Sequence, residues 1–210
     1  MSWDRIYQEK GIIQQIPKSF FAENIKKFSN KSARALDMGC GTGRHLPLLI
    51  ENFGEVHGCD VSSTAIELIG MEIMAKARLK VSYFSSMPYP SGYFDFVISS
   101  AAIHHGKSSE VQKGFRELYR VLKRGGVAVI DVLALPHHPV SDGVEIEENT
   151  YLFQNIIDND VPHYMFSEQK AREFLEGFDI LAIERVTSAS ELSSNIQTTG
   201  QRLNIIARKK

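Results

Sequence analysis

Cysteine is scarce in this sequence of 210 residues, which contains only Cys40 and Cys59. The two are not spaced as a Cys-x-x-Cys redox pair or as a metal knuckle, so neither a disulfide scaffold nor a cysteine metal centre is indicated. Both lie in or beside apolar runs that predict buried strand ends. We therefore expect reduced side chains that fill space in the core.

An excess of either charge is also missing. Lysine and arginine number 24 against 25 aspartates and glutamates, which gives a net charge of −1. Nothing in this balance marks a polyanion binder, so nucleic acid is not the expected partner. No uninterrupted apolar run approaches the length of a membrane span, and residues 1–10 lack the apolar core of a signal peptide. We expect a cytoplasmic protein without membrane contact.

The most distinctive stretch is Leu36-Asp-Met-Gly-Cys-Gly-Thr-Gly43. The apolar run from Ala33 to Met38 predicts a buried strand, and apolar periodicity after the three glycines predicts a helix over 42–52. Alternating glycines let the main chain turn sharply and let a ligand approach it closely, while the start of a helix offers free N–H donors. The stretch predicts a cradle for a nucleotide-like ligand.

Strand and helix patterns alternate along the first two thirds of the chain. Strands are predicted at 33–38, 55–60, 79–84, 94–99 and 127–133, with helical stretches between them. Such alternation favours a parallel sheet with helices on both faces. Two further runs at 178–185 and 202–208, joined by the polar stretch 187–200, predict an antiparallel hairpin. The predicted fold is α/β: a Rossmann-like three-layer sandwich whose seven-stranded, mostly parallel sheet ends in an antiparallel C-terminal hairpin strand.

The length fits one domain over residues 1–210. Within it, 1–30 is predicted to be an N-terminal helical arm, because phenylalanines and an isoleucine recur at helical spacing from Phe20 to Phe28. Residues 136–166 differ in character, with prolines, clustered acids and interspersed aromatics. We interpret them as an insertion over the carboxyl ends of the strands.

Four segments in order resemble motifs of the class I S-adenosylmethionine-dependent methyltransferases, in particular small single-domain members of the type 11/25 kind. They are Leu36–Gly43, Val56–Ser62, Met87–Ser99 and Arg120–Gly126. Four ordered matches are far more specific than one glycine motif. The resemblance implies S-adenosyl-L-methionine as cofactor and methyl transfer to a small-molecule acceptor, by a monomer or homodimer.

The resemblance also implies a set of cofactor-binding residues. The glycine turn would pass under the amino acid part of the cofactor, and Asp60 would accept hydrogen bonds from both ribose hydroxyls. Met87 would lie near the adenine ring, although the acid that many members place a few positions earlier is absent. The full set is Tyr7, Asp37, Gly39, Gly41, Gly43, Asp60, Val61, Ser86, Met87 and Ser99.

Two histidines follow the fourth predicted strand, where the family's acceptor meets the cofactor. His104 is the first candidate and His105 the second to orient the acceptor or take its proton, because imidazole titrates near neutral pH. An equally open interpretation is that one packs and the other is solvated. Neighbouring residues do not face the same way, so the pairs His104–His105 and His137–His138 predict no metal site.

Other functions stay open at this point. The acceptor could be tRNA or a protein, or the chain could be a non-catalytic subunit that binds S-adenosylmethionine. An NAD(P)-dependent oxidoreductase would share the glycines and the ribose-binding acid, but its Gly-x-Gly-x-x-Gly spacing is not matched. On the favoured interpretation, residues 136–166 are the acceptor lid, with Tyr151, Phe153, His163 and Tyr164 as lining residues.

Overall fold

A computed structural model describes residues 3–13, 15–136, 143–153, 158–189 and 199–210. Within these ranges, ten strands in chain order form two sheets. The main sheet contains β1 Asn30–Met38, β2 Phe53–Asp60, β3 Ala77–Val81, β4 Phe94–Ser100, β5 Leu122–Leu133, β9 Phe178–Ala189 and β10 Thr199–Lys209. The second sheet contains β6 Gly143–Glu147, β7 Thr150–Phe153 and β8 His163–Tyr164.

The main sheet has the strand order β3-β2-β1-β4-β5-β10-β9. Strands β1 to β5 pair in parallel, whereas β10 runs antiparallel to both β5 and β9. Parallel neighbours need crossovers, which the helices between these strands supply. The predicted mostly parallel sheet with an antiparallel C-terminal hairpin is confirmed.

In the described part of the chain, seven helices accompany the strands: α1 Trp3–Lys10, α2 Ser19–Lys27, α3 Leu46–Asn52, α4 Ser63–Glu67, α5 Met71–Met74, α6 Ser108–Val121 and α7 Glu168–Phe174. Among the described residues, no helix has the length and apolar character needed to cross a bilayer.

Each buried strand contributes to two hydrophobic layers, one on each face of the sheet. In β1, Leu36 and Met38 join the layer that contains α6 and α7, while Ala33 and Ala35 join the layer that contains α2 and α3. Successive side chains of a strand point to opposite faces, so an uninterrupted apolar run fills both layers. This explains why the central strands lack polar alternation.

Three predicted boundaries were wrong for local reasons. The helix expected over 42–52 begins only at Leu46, because residues 42–45 continue the turn, and Pro47 then occupies the first helical turn. The helical stretch predicted between the strands at 55–60 and 79–84 is divided into α4 and α5, since Gly70 adopts an extended conformation with ψ 145°. The third strand is shifted toward the N-terminus and ends at Val81.

The insertion contains the second sheet and lies beside the carboxyl ends of β4 and β5. The main-chain N–H of Tyr164 donates to the carbonyl of His104 at 2.9 Å, and that of Phe166 donates to Leu133 at 2.8 Å. The role of this sheet as an acceptor lid stays a prediction. His137 and His138 lie outside the described residues, as does most of the connector predicted at 187–200.

Candidate functional site

The glycine turn follows β1 and is fastened to the end of β2. The N–H groups of Gly39 and Cys40 both donate to the carbonyl of Cys59, at 2.8 and 3.0 Å. Gly39 has a φ of +77°, and a Cβ at this position would overlap the Cβ of Ala102. Because only glycine tolerates this conformation and contact, Gly39 lets the turn pack directly against Ala102.

Asp60 ends β2 and orients the same turn. One carboxylate oxygen accepts from the N–H of Gly41 at 2.8 Å and the other from the N–H of Ser62 at 2.9 Å. Burial raises the pKa of Asp60, while hydrogen bonds from main-chain N–H groups, including that of Val61, act against the rise. Each oxygen keeps a further lone pair, which is what binding of a vicinal diol requires.

Asp37 is the most unusual charge of the site. Its side chain is 1% exposed, and neither carboxylate oxygen has a hydrogen-bond partner among the described residues. His45 Nδ1 lies 4.0 Å from Oδ2, and burial raises the pKa of Asp37 to about 7. A buried carboxylate without donors fits a cationic ligand group that supplies both charge and N–H donors.

Helix α1 covers the turn from the outside. A Cβ at Gly41 would lie 2.7 Å from the hydroxyl oxygen of Tyr7, so this phenol sits directly against the turn. Asp4 fixes the helix by accepting the hydroxyl of Ser62 at 2.6 Å and the N–H of Thr64 at 3.0 Å. These hydrogen bonds lower the pKa of Asp4. Tyr7 is thereby held against the glycine turn, and its contact with the cofactor stays a prediction.

Three further residues that were predicted to bind the cofactor lie in different environments. Met87 is buried, and its sulfur lies 3.8 Å from the Cys59 thiol. Ser86 is exposed in the turn before it, and Ser99 is fully buried with its hydroxyl donating to the carbonyl of Met38 at 3.0 Å. Ser99 therefore joins two strands through its hydroxyl, while Met87 offers an apolar wall.

Both candidate catalytic histidines lie in a buried imidazole cluster. The ring of His104 lies 4.3 Å from that of His105, which in turn lies 4.8 Å from the ring of His163. Burial lowers the pKa of His104 well below its usual value, and Nδ1 has no partner among the described residues. His105 and His163 both pair with Asp158, at 3.4 and 3.0 Å. A neutral, weakly basic His104 suits orientation of an acceptor better than removal of its proton.

A second buried charge group adjoins the site and was missed from the sequence. Asp131, at the end of β5, accepts from Lys18 at 2.6 Å, Arg202 at 3.3 Å and the N–H of Ala101 at 2.5 Å. Burial opposes ionisation of Asp131, but Arg202 and Lys18 hold its pKa well below the usual value. Its signal in the sequence was an acid inside the apolar run 127–133, a position that demands a partner.

Comparison with known proteins adds independent findings. A methyltransferase domain model matches residues 36–130. A malonyl-[acyl-carrier protein] O-methyltransferase of Enterobacter lignolyticus is 32% identical over 140 residues, which cover 63% of this chain and 51% of that protein. A tRNA (carboxymethyluridine(34)-5-O)-methyltransferase of Arabidopsis thaliana is 34% identical over 110 residues, which cover 50% of this chain and 25% of that protein.

A solved structure shares the fold over nearly the whole chain. The S-adenosylmethionine-dependent methyltransferase of Methanosarcina mazei aligns with a TM-score of 0.72 at 22% identity, and the alignment covers 89% of this chain and 96% of that one. The chain spans about half the length of the first of the two curated relatives and a quarter of the second. The matched region contains the glycine turn, Asp60 and the strands that position them. Residues 36–130 thus match a methyltransferase domain, and the fold of the chain resembles that of an S-adenosylmethionine-dependent methyltransferase.

Proposed function

We propose that this protein transfers the methyl group of S-adenosylmethionine to a small-molecule acceptor. The observation that carries the proposal is the buried Asp37 carboxylate, which has no donor among the described residues and lies under the glycine turn. The cofactor carries an ammonium and a sulfonium group, and a donor-free carboxylate is stabilised by both. The anionic pyrophosphate of a dinucleotide would instead place a further negative charge near this carboxylate.

The proposed binding mode uses three parts of the cradle. Asp60 accepts the ribose hydroxyls, Met87 contacts the adenine ring, and the glycine turn runs along the amino acid part. Tyr7 closes this end from α1. We propose that the other predicted residues support this arrangement from the turns or from the ends of the strands; they are Gly43, Val61, Ser86 and Ser99.

When bound, the cofactor supplies an electrophilic methyl group that an acceptor nucleophile attacks in line. The protein contributes position and exclusion of water, which account for most of the acceleration in such a reaction. His104 and His105 are proposed to orient the acceptor from the loop after β4. The second sheet, with Tyr151, Phe153, His163 and Tyr164, is proposed to close over it.

A small acceptor is favoured over a macromolecule by charge and enclosure. The net charge is −1, so the chain lacks the basic excess that phosphate contacts require. The imidazole cluster is buried, which suits a ligand that enters completely. Among the relatives, one is named for a malonyl group on a carrier protein and the other for a tRNA nucleoside, so a macromolecular acceptor is the alternative to test. The monomer or homodimer state and cytoplasmic location stay predictions.

The cofactor assignment is tested by calorimetric titration with S-adenosylmethionine and S-adenosylhomocysteine. Replacing Asp60 by alanine removes a charged acceptor, and we expect affinity to fall by about 10- to 100-fold. Asp179→Ala is the matched control, because Asp179 is an exposed acid that pairs only with Lys210 in the described interactions. Unchanged affinity in Asp60→Ala would refute the ribose assignment.

The acceptor class is tested with cofactor labelled in its methyl group. Separate incubations contain a small-metabolite extract, total RNA and a protein extract. We expect label in the metabolite fraction only, in proportion to enzyme. Label that accumulates in RNA or protein would overturn the small-molecule proposal while leaving the family assignment intact.

A further inference from the structure

Three side chains from distant parts of the chain converge outside the cofactor cradle. His105 Nε2 and His163 Nε2 lie 3.4 and 3.0 Å from the same oxygen of Asp158, and the three ligand-type atoms all fall within 4.8 Å of one another. Their side chains are 10%, 4% and 7% exposed, in the order His105, His163, Asp158. We call this set the His-Asp-His cluster.

We propose that the His-Asp-His cluster binds a divalent transition-metal ion. Two imidazole nitrogens and one carboxylate oxygen are the ligand set that zinc and non-haem iron accept, with bonds of about 2.0 to 2.2 Å. Ligands at such distances around one ion lie roughly 3 to 4 Å apart, which is close to the spacing of these atoms. Small side-chain rotations would bring all three onto one ion.

Main-chain hydrogen bonds hold the cluster in place without a metal. His105 and His163 form an isolated antiparallel bridge between the loop after β4 and strand β8. On either side of it, Tyr164 donates to His104 at 2.9 Å and Gly106 donates to the carbonyl of Pro162 at 2.7 Å. The two imidazoles are therefore positioned by backbone pairing, and the entropy cost of assembling a site is largely met by the fold.

The surroundings are also those of a metal site. The rings of Trp3 and Phe153 pack on His105 and His163, with ring centroids 4.9 and 5.4 Å apart. An apolar shell of this kind limits access of water and strengthens binding of an ion to the enclosed charge. Two neutral imidazoles and one carboxylate have a net charge of −1, so the site with a bound divalent cation has a net charge of +1. Three protein ligands leave one coordination position of the ion open.

This inference departs from the expectation of no metal, which rested on the geometry of histidine pairs adjacent in sequence. His105 and His163 are 58 positions apart, and Asp158 lies in the insertion. The proposal concerns metal binding alone and does not depend on methyl transfer. If the proposed function also holds, the open position adjoins His104 and would receive an oxygen or nitrogen of the acceptor.

The test is direct titration of chelator-treated protein, without a histidine tag and without cofactor. Zn²⁺ is followed by calorimetry and Co²⁺ by its visible spectrum, and we expect one ion per chain. Mg²⁺ should not bind, because it prefers an all-oxygen shell. Loss of a residue that hydrogen-bonds to a metal ligand typically lowers metal affinity by about 10-fold or more, and loss of the ligand itself costs at least as much. His163→Gln and Asp158→Asn should therefore each weaken Zn²⁺ binding by more than about 10-fold.

The control is His57→Gln, which removes another buried imidazole paired with a carboxylate, Glu55, at 2.9 Å. It should keep the metal affinity of the original protein. Circular dichroism identifies any variant that fails to fold, and His105→Gln then replaces it in the comparison. No stoichiometric Zn²⁺ or Co²⁺ binding, or equal affinity in the folded ligand variants, would show that the His-Asp-His cluster is a hydrogen-bonded support only.

Discussion

Asp37 is buried without a hydrogen-bond donor among the described residues, and we propose that it binds the cofactor. Burial raises its pKa to about 7, from 3.8 in an unfolded chain. The folded protein therefore holds this proton more tightly than the unfolded chain, and stability contributed by this residue falls as pH rises from about 4 to about 7. A cationic ligand would offset the free-energy cost of ionising Asp37 in its buried position. The residue that lowers the stability of the free protein would therefore strengthen binding of the cofactor.

We expect Asp37→Asn to stabilise the free protein more at about pH 8 than at about pH 5, by roughly 2 kcal/mol, because only the aspartate must ionise in the buried site. Thermal or denaturant unfolding at the two pH values measures this difference. The same variant should bind S-adenosylmethionine about 10-fold more weakly or worse. Asp179→Asn, at an exposed position, should show neither effect. An equal change in stability at both pH values would contradict the raised pKa.

Gly39 combines a positive φ with a close approach. We expect Gly39→Ala to lower the free energy of unfolding by roughly 2 to 4 kcal/mol, since the new Cβ adds steric overlap with Ala102 to the cost of the left-handed backbone. Gly92→Ala separates the two costs: its φ is +62° but no atom lies within 4 Å of the added Cβ. It should lose only about 1 kcal/mol. Similar losses in both variants would mean that contact with Ala102 is unimportant.

At the scale of elements, α1 links the cradle to the His-Asp-His cluster. Tyr7 lies against Gly41, and Trp3 packs on His105 with ring centroids 4.9 Å apart. Asp4 docks the helix by capping the start of α4. The order of α1 and the shape of both sites therefore depend on one partly buried carboxylate.

We expect Asp4→Ala to loosen α1 and to weaken S-adenosylmethionine binding by about five-fold, the effect of losing one helix-capping interaction. Trp3 is the only tryptophan of the chain, so its fluorescence should shift to longer wavelength as it becomes solvated. Glu9→Ala removes an acid of the same helix that, among the described residues, pairs with Arg5 alone, and it should leave both signals unchanged. Wild-type fluorescence in Asp4→Ala would argue that packing of Trp3 and Tyr7 alone holds the helix.

Elements that fill a core were predictable, whereas turn geometry was not. Continuous apolar runs identified β1 and β4 because both faces of these strands are buried. The late start of α3 at Leu46 depends on how residues 42–45 wrap the turn, which apolar periodicity does not encode. The glycines and Asp60 could be placed because each lies at the end of a predicted strand, while His105, Asp158 and His163 meet only through tertiary pairing of loops.

For the whole molecule, the hairpin β9–β10 is also a support of the site. Arg202 on β10 pairs with Asp131 across the strand boundary, and Asp131 in turn accepts the N–H of Ala101 after β4. The antiparallel strand thereby fixes the loop that carries His104. The sequence predicted the hairpin from two strand-like runs without a helix between them, but the buried ion pair that joins it to the site needed the strand register.

Cofactor binding should appear in the stability of the entire chain. A ligand at about 100 times its dissociation constant stabilises the folded state by about 2.7 kcal/mol, which for a domain of this size raises the unfolding temperature by roughly 5 to 10 °C. We expect this shift with S-adenosylmethionine and S-adenosylhomocysteine, measured by calorimetric or fluorescence melting. NAD should produce none, because it lacks the ammonium group that Asp37 is proposed to bind. Asp60→Ala should lose most of the shift and Asp179→Ala should retain it. A comparable shift with NAD would indicate that the cradle is a general nucleotide site, since hydride carriers and methyl donors would then bind to it alike.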